Sequence, residues 1–198
     1  MIAGFDRRPF AGIKRKLIHS LAAGIAFAGM LLTIGSVVAP PQAHRKMDLS
    51  SSAFKDGQPI PSEYTCDGKN ISPPLMWKGA PADTQSFVLI VDDPDSPTGV
   101  WTHWIMFNLG ADVSELTEDF AKSPAASGSA KQSVNSFKNV GYGGPCPPAG
   151  KLHRYYFRIY ALDITLDLGP GAARSDIEAA MAKHVLAMGQ VMGTYQRK

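Results

Sequence analysis

The hydrophobic and polar positions of this chain predict strands of two kinds. Phe87-Val88-Leu89-Ile90-Val91 is an unbroken apolar run, the pattern of a strand buried on both faces. It passes into Asp92-Asp93-Pro94-Asp95-Ser96-Pro97. Proline fixes φ and has no N–H for a sheet ladder, so the strand stops there. A second apolar run, Trp104-Ile105-Met106-Phe107, starts directly after His103. The stretch from Leu152 to Leu162 alternates instead. His153, Tyr155, Phe157, Ile159 and Ala161 share one face, and Arg154, Tyr156, Arg158 and Tyr160 share the other.

Weaker signals fill the intervals. Met47 to Phe54 alternates loosely, and Asp56-Gly57, Ile60-Pro61 and Asp67-Gly68 mark turns at short spacing. Frequent short strands with Gly/Pro punctuation predict an all-β sandwich rather than βαβ units, with Trp77 in its core. Ser123 to Ala130 is small and polar, a surface loop to which no chemistry is assigned. Near the chain end, Ser175 with Glu178 has capping-box spacing and predicts a helix start. Ile177, Met181, His184, Val185 and Met188 would form its apolar face, Gly189 its stop, and Val191–Tyr195 a last strand.

Charge changes the picture mainly at the N-terminus. Residues 1–43 hold five of the 20 Lys and Arg but one of the 17 Asp and Glu, leaving the remainder of the 198-residue chain nearly neutral. A near-neutral globule has no electrostatic footprint for nucleic acid. Basic residues 7–16 precede an apolar segment, Leu17 to Ala39. That order predicts an export signal over residues 1–43, followed by one domain over 44–198 in the periplasm or outside the cell. Residues 17–39 are also about long enough to span a bilayer, for which roughly 20 residues are needed. An uncleaved inner-membrane anchor is therefore the alternative, and it would be the domain's only membrane contact. Two cysteines, Cys66 and Cys146, lie beyond this leader. In an oxidising compartment they either cross-link or remain separate thiols, and without CxxC spacing they predict no zinc site.

Candidate chemistry gathers where the strands end. Asp93 and Asp95 follow one apolar run, and Trp101-Thr102-His103 precedes the next. Gly141-Tyr142-Gly143-Gly144-Pro145-Cys146-Pro147-Pro148-Ala149-Gly150 leads directly into the strand carrying His153 and Tyr155. Glycines let backbone approach a ligand closely, and prolines stiffen the loop. Asp93-Pro94-Asp95-x-Pro97, Trp101-x-His103, the Gly-rich Pro147-Pro148 loop and Leu152-His153-Arg154-Tyr155, in that order, resemble the phosphatidylethanolamine-binding protein family, in its bacterial Raf-kinase-inhibitor-like branch. Tyr64-Thr65-Cys66-Asp67-Gly68, Ser72-Pro73-Pro74-Leu75-x-Trp77 and Met192-Gly193-Thr194-Tyr195 also fit that branch. The resemblance implies an antiparallel β-sandwich, a large central sheet packed on a smaller one with a Greek-key path, and a C-terminal helix. It also implies an anion pocket lined by Asp93, His103, Gly144, Pro147, Pro148, His153 and Tyr155, with Asp95, Pro97 and Trp101 bracing it.

Imidazoles titrate near neutrality and donate to oxyanions when protonated. Exposed loop N–H groups and a tyrosine hydroxyl add donors. The expectation is a non-catalytic domain, without cofactor or metal, that binds a small phosphorylated or anionic ligand and that can modulate a protein partner yet to be identified. The alternative is a metal-dependent hydrolase using Asp93, His103 and His153, with Asp95 in reserve. Serine hydrolysis and nucleotide hydrolysis are disfavoured. No Gly-x-Ser-x-Gly occurs, and the Gly-rich loop precedes a strand rather than the helix of a P-loop.

Overall fold

In the computed structural model, which describes residues 45–198 apart from 124, 126 and 127, the leader expected over residues 1–43 lies outside the described residues. The elements begin with β1 (Arg45–Lys46), β2 (Asp48–Ser50), a 3-10 turn at Ser62–Tyr64, β3 (Leu75–Lys78) and β4 (Ser86–Asp93). They continue with β5 (Trp101–Gly110), β6 (Glu115–Leu116), β7 (Lys131–Gln132), β8 (Leu152–Leu162), α1 (Arg174–Met181) and β9 (Val185–Gln196). A six-stranded sheet has the order β1-β9-β8-β4-β5-β7, and a three-stranded sheet the order β2-β3-β6. Neighbours run antiparallel except β1 and β9, which are parallel. The mostly-β architecture of a large and a small sheet with a C-terminal helix agrees with the sequence expectation.

The centre of the large sheet explains the unbroken apolar run. Phe87, Leu89 and Val91 of β4 pack into a core shared with Leu49, Leu75 and Trp77 of the small sheet. Val88 and Ile90 face the other way, onto Leu166, Ile177 and Met181. All eight residues of β4 are buried, so the strand has no solvent face and no reason to alternate. Each such aliphatic side chain contributes roughly 1.5–3 kcal/mol by leaving water. β8 flanks β4 and alternates as expected, with His153, Tyr155, Phe157, Ile159 and Ala161 buried.

The C-terminal segment departs from the expectation. α1 starts at Arg174, so Ser175 lies inside the helix, and Ala173 holds the cap position without a side-chain bond. Glu178 pairs with Arg174 at 2.8 Å rather than closing a capping box. The helix also ends at Met181, because Val185 onward pairs with β8 along its whole length. Gly189 and Gly193 therefore sit within a strand and mark close crossings. A Cβ would stand 2.9 Å from the Met47 carbonyl oxygen at Gly189, and 2.4 Å from Ile60 at Gly193. His184 belongs to the turn before β9, where its Nδ1 lies 2.8 Å from Asp163 Oδ1.

Candidate functional site

The ends of β4, β5 and β8 converge beside the loop that precedes β8. Asp93 closes β4 with the same orientation as Phe87, Leu89 and Val91. His103 reaches that side by a bulge. Val91 pairs with Trp104 and Asp92 with Thr102, so His103 is the extra residue on β5. A bulge places two consecutive side chains on one face. Trp104 accordingly joins the inter-sheet core, and the His103 ring meets Tyr155 at 5.2 Å.

Both imidazoles are held through Nδ1. His153 Nδ1 lies 2.7 Å from Asp93 Oδ2, and His103 Nδ1 lies 2.6 Å from the Gly143 carbonyl oxygen. A carbonyl and an ionised carboxylate can only accept, so each Nδ1 carries the proton. Each Nε2 is left without a partner among the described residues, and neither is sealed from solvent. In the neutral ring Nε2 presents a lone pair; in the imidazolium it donates. Burial pushes the His103 pKa below the ordinary 6.5, although the Gly143 carbonyl and Asp93 oppose the shift. At neutral pH the His103 Nε2 is therefore an acceptor.

The Gly/Pro loop is pinned from outside the site. The Gly144 N–H donates to Asn70 Oδ1 at 2.7 Å, the Cys66 N–H donates to the Pro145 carbonyl at 3.1 Å, and Cys66 is bonded to Cys146. The cysteines are thus a disulfide, the first of the two arrangements the sequence left open. Gly144 permits the approach: a Cβ there would lie 2.4 Å from the Tyr64 carbonyl oxygen.

These elements enclose a cavity of about 210 Å³. Asp93, His103, Pro147, Pro148 and His153 line it, and so do Pro97 and Trp101, expected only as braces. Three further expected residues lie off its wall. The Gly144 N–H is taken by Asn70 and faces a neighbouring cavity. Tyr155 is fully buried against the His103 ring, and its hydroxyl has no acceptor among the described residues. Burial, then the nearby Asp93 charge, raises that hydroxyl's pKa and keeps it protonated. Asp95 turns outward. It accepts from Arg154 Nε and Nη2 at 2.8 and 2.7 Å, and the Arg154 guanidinium holds its carboxyl down at about 2.

Sequence reasoning missed Ser96, Thr98 and Phe137 on the lining. Phe137 belongs to the connection between β7 and β8, and its ring lies edge-on to Trp101 and His103 at 5.3 and 5.4 Å. An isolated aromatic among polar residues was the only available signal. The metal-hydrolase alternative would use Asp93, whose oxygens already have partners within the protein. Asp93 Oδ1 accepts the Asp95 N–H and Oδ2 accepts from His153. Among the described residues no three His, Cys, Asp or Glu side chains are grouped to hold a metal ion.

The family model described as phosphatidylethanolamine-binding protein matches residues 50–196. A UPF0098 protein of Aquifex aeolicus is 50% identical over 153 residues, covering 76% of this chain and 89% of that one. A UPF0098 protein of Pyrococcus horikoshii is 41% identical over 190 residues, 94% of this chain and 92% of that one. Among solved structures, a phosphatidylethanolamine-binding protein homologue of Chlamydia trachomatis is similar at a TM-score of 0.71 and 42% identity. It covers 78% of this chain and 99% of its own. The E. coli protein YbcL, described as a member of the mammalian family, has a TM-score of 0.71 at 30% identity, over 77% of this chain and 99% of its own.

Proposed function

The chain belongs to the phosphatidylethanolamine-binding protein family, and from that premise we propose that it is an exported, non-catalytic binding protein for a small phosphate or phospho-head-group. The observation that carries this reading is the pair of imidazoles with Nδ1 tied inward and Nε2 open to one cavity. A cavity of about 210 Å³ falls below the roughly 300–1,000 Å³ of drug-sized sites. It favours a head group over a whole lipid. Trp101, also on the lining, has a buried indole N–H with no acceptor among the described residues.

The tautomers set the terms of binding. A phosphate dianion would meet a lone pair on the neutral His103 ring, so it must arrive together with protons. These sit on the rings or on the phosphate, whose second pKa is near 6. Affinity therefore tightens as pH falls, by up to about tenfold per pH unit for each proton taken up. Calorimetric titration with O-phosphoethanolamine and with inorganic phosphate, in buffers of differing ionisation enthalpy between pH 5 and 8, measures that uptake. Loss of binding in His103→Ala/His153→Ala is expected; an affinity flat across the range defeats the reading.

A non-catalytic role is favoured by what the Asp93–His153 pair lacks. Such a pair is also the base half of a hydrolytic triad. The Ser96 hydroxyl on the same lining bonds to Thr98 at 3.1 Å and to neither imidazole. Modulation of another protein would use the mouth, where Val100 and Leu152 are 59% and 61% exposed next to Trp101 and His153. Export rests on the basic-then-apolar order of residues 7–39. N-terminal sequencing of protein from the periplasmic fraction tests it, with a mature end near residues 40–44 expected.

A further inference from the structure

A second cavity, of about 540 Å³, adjoins the first and shares Phe137 and Cys146 with it. Between them run the Phe137 ring, the disulfide and the hydrogen bond from His103 to Gly143, whose ring end lines one cavity and whose carbonyl end lines the other. The second cavity has the size of a small-molecule site. Its electrostatics differ from those of the first. Among the described residues Lys122 is the one charged residue on its lining, and no carboxylate faces it there.

Lys122 is held in place. Its ammonium donates to the Asn70 carbonyl at 2.9 Å, leaving further N–H groups to offer. Its stem lies against Gly141, where a Cβ would meet it at 3.1 Å. Two amides stand beside it. Asn70 spends Oδ1 on Gly144 and keeps its NH2, and the Asn139 side chain makes no hydrogen bond among the described residues. A positive charge with two amide donors, in a hollow without a carboxylate, is a site for an anion.

We propose that this second cavity is a subsite for an anionic group, phosphate or carboxylate, with Lys122 as its counter-ion and the Asn70 and Asn139 amides as orienting donors. The protein then receives ligands carrying two anionic groups, one on each side of the Phe137–disulfide wall. The placement of the first group rests on the function proposed above; that of the second does not.

The test compares alkane-α,ω-bisphosphonates of increasing chain length with alkyl monophosphonates of the same lengths, by calorimetry at one acidic pH. At the length that bridges the wall, the bisphosphonate binds about fivefold tighter beyond the statistical doubling, the size of one partly solvated charge pair. Lys122→Gln removes that gain. Lys122 is exposed, so this variant folds. In amide NMR spectra the Asn70 and Asn139 side-chain signals move with the bisphosphonate in the parent and not in Lys122→Gln. No gain at any length, or a gain that survives Lys122→Gln, overturns the subsite. Should monophosphonates fail to bind at all, the first cavity's assignment falls. The Lys122-dependent NMR shifts then decide the second by themselves.

Discussion

Asp92 and Asp93 are consecutive in β4 and hold partners on opposite faces of the large sheet. Asp93 takes the His153 imidazole at 2.7 Å, and Asp92 takes the Arg174 guanidinium through both carboxylate oxygens. Asp92 is 2% exposed, so its charge depends on that partner. The strand end that presents Asp93 to the cavity is thereby tied, from behind, to the first residue of α1.

Arg174→Ala would leave Asp92 with Thr102 at 3.3 Å and Arg158 at 3.4 Å. Removing one partner of a buried pair costs about 3–5 kcal/mol; the half-exposed guanidinium and the remaining Arg158 reduce this to about 2–3 kcal/mol. Urea denaturation measures it. Adding Asp92→Asn to Arg174→Ala should restore part of the loss, because no unpaired charge then stays buried. A double variant no more stable than Arg174→Ala would contradict this account.

The depressed pKa of His103 has a definite sign. The unfolded chain takes up a proton near 6.5, and the folded protein does so only at lower pH. His103 therefore contributes stability that is complete above 6.5 and is lost as pH falls from there through the folded value. Thermal melts of the ligand-free protein should show Tm falling on acidification below 6.5. His103→Gln should flatten that slope, and saturating phosphate, which favours the imidazolium, should offset it. An identical slope in parent and variant would refute the assignment.

Disrupting the Cys66–Cys146 bond frees a loop spanning 80 residues of sequence. Disulfides typically stabilise by about 2–4 kcal/mol, chiefly through the unfolded chain. Cys66→Ser/Cys146→Ser should lose that amount in chemical denaturation and should weaken phosphate binding, because Cys146 stands next to Pro147 on the cavity wall. Unchanged affinity would mean that the hydrogen bonds from Gly144 and Cys66 alone hold the lip.

Gly144→Ala tests the close approach of the loop. The Tyr64 carbonyl oxygen, 2.4 Å from the new methyl group, already accepts the Tyr142 hydroxyl at 2.8 Å and cannot simply move aside. Overpacking of this kind costs about 1–3 kcal/mol. A shift in the chemical denaturation midpoint with the slope unchanged is the expected result.

Much of this arrangement was legible because its residues obey simple periods. The alternation along Leu152–Leu162 put His153 on the buried face, and the prolines after Asp93 put the strand end at the cavity. The rest depended on features that periods hide. Counting by twos from Trp104 sends His103 to the α1 side, and only the bulge brings it round. With β4 buried on both faces, the run before Asp92-Asp93 gave no sign of which carboxylate faces the cavity. The end of the C-terminal helix was misplaced for a similar reason. Ile177, Met181, Val185 and Met188 fit a helical period, while Ala187, Gly189, Val191 and Gly193 fit a strand. Pairing with β8 decided between them. Phe137 and Lys122 were passed over because the walls they form are assembled from distant loops.

The parallel pairing of β1 with β9 places Arg45 at one edge of the large sheet. Arg45 lies opposite Ala187, whereas His153 lies opposite Tyr195 on the same strand. At roughly 3.3 Å per residue those positions are about 26 Å apart. A linker or solid support joined at that edge would hold the molecule by its stern and leave the opening at the prow, free to sample the surrounding medium.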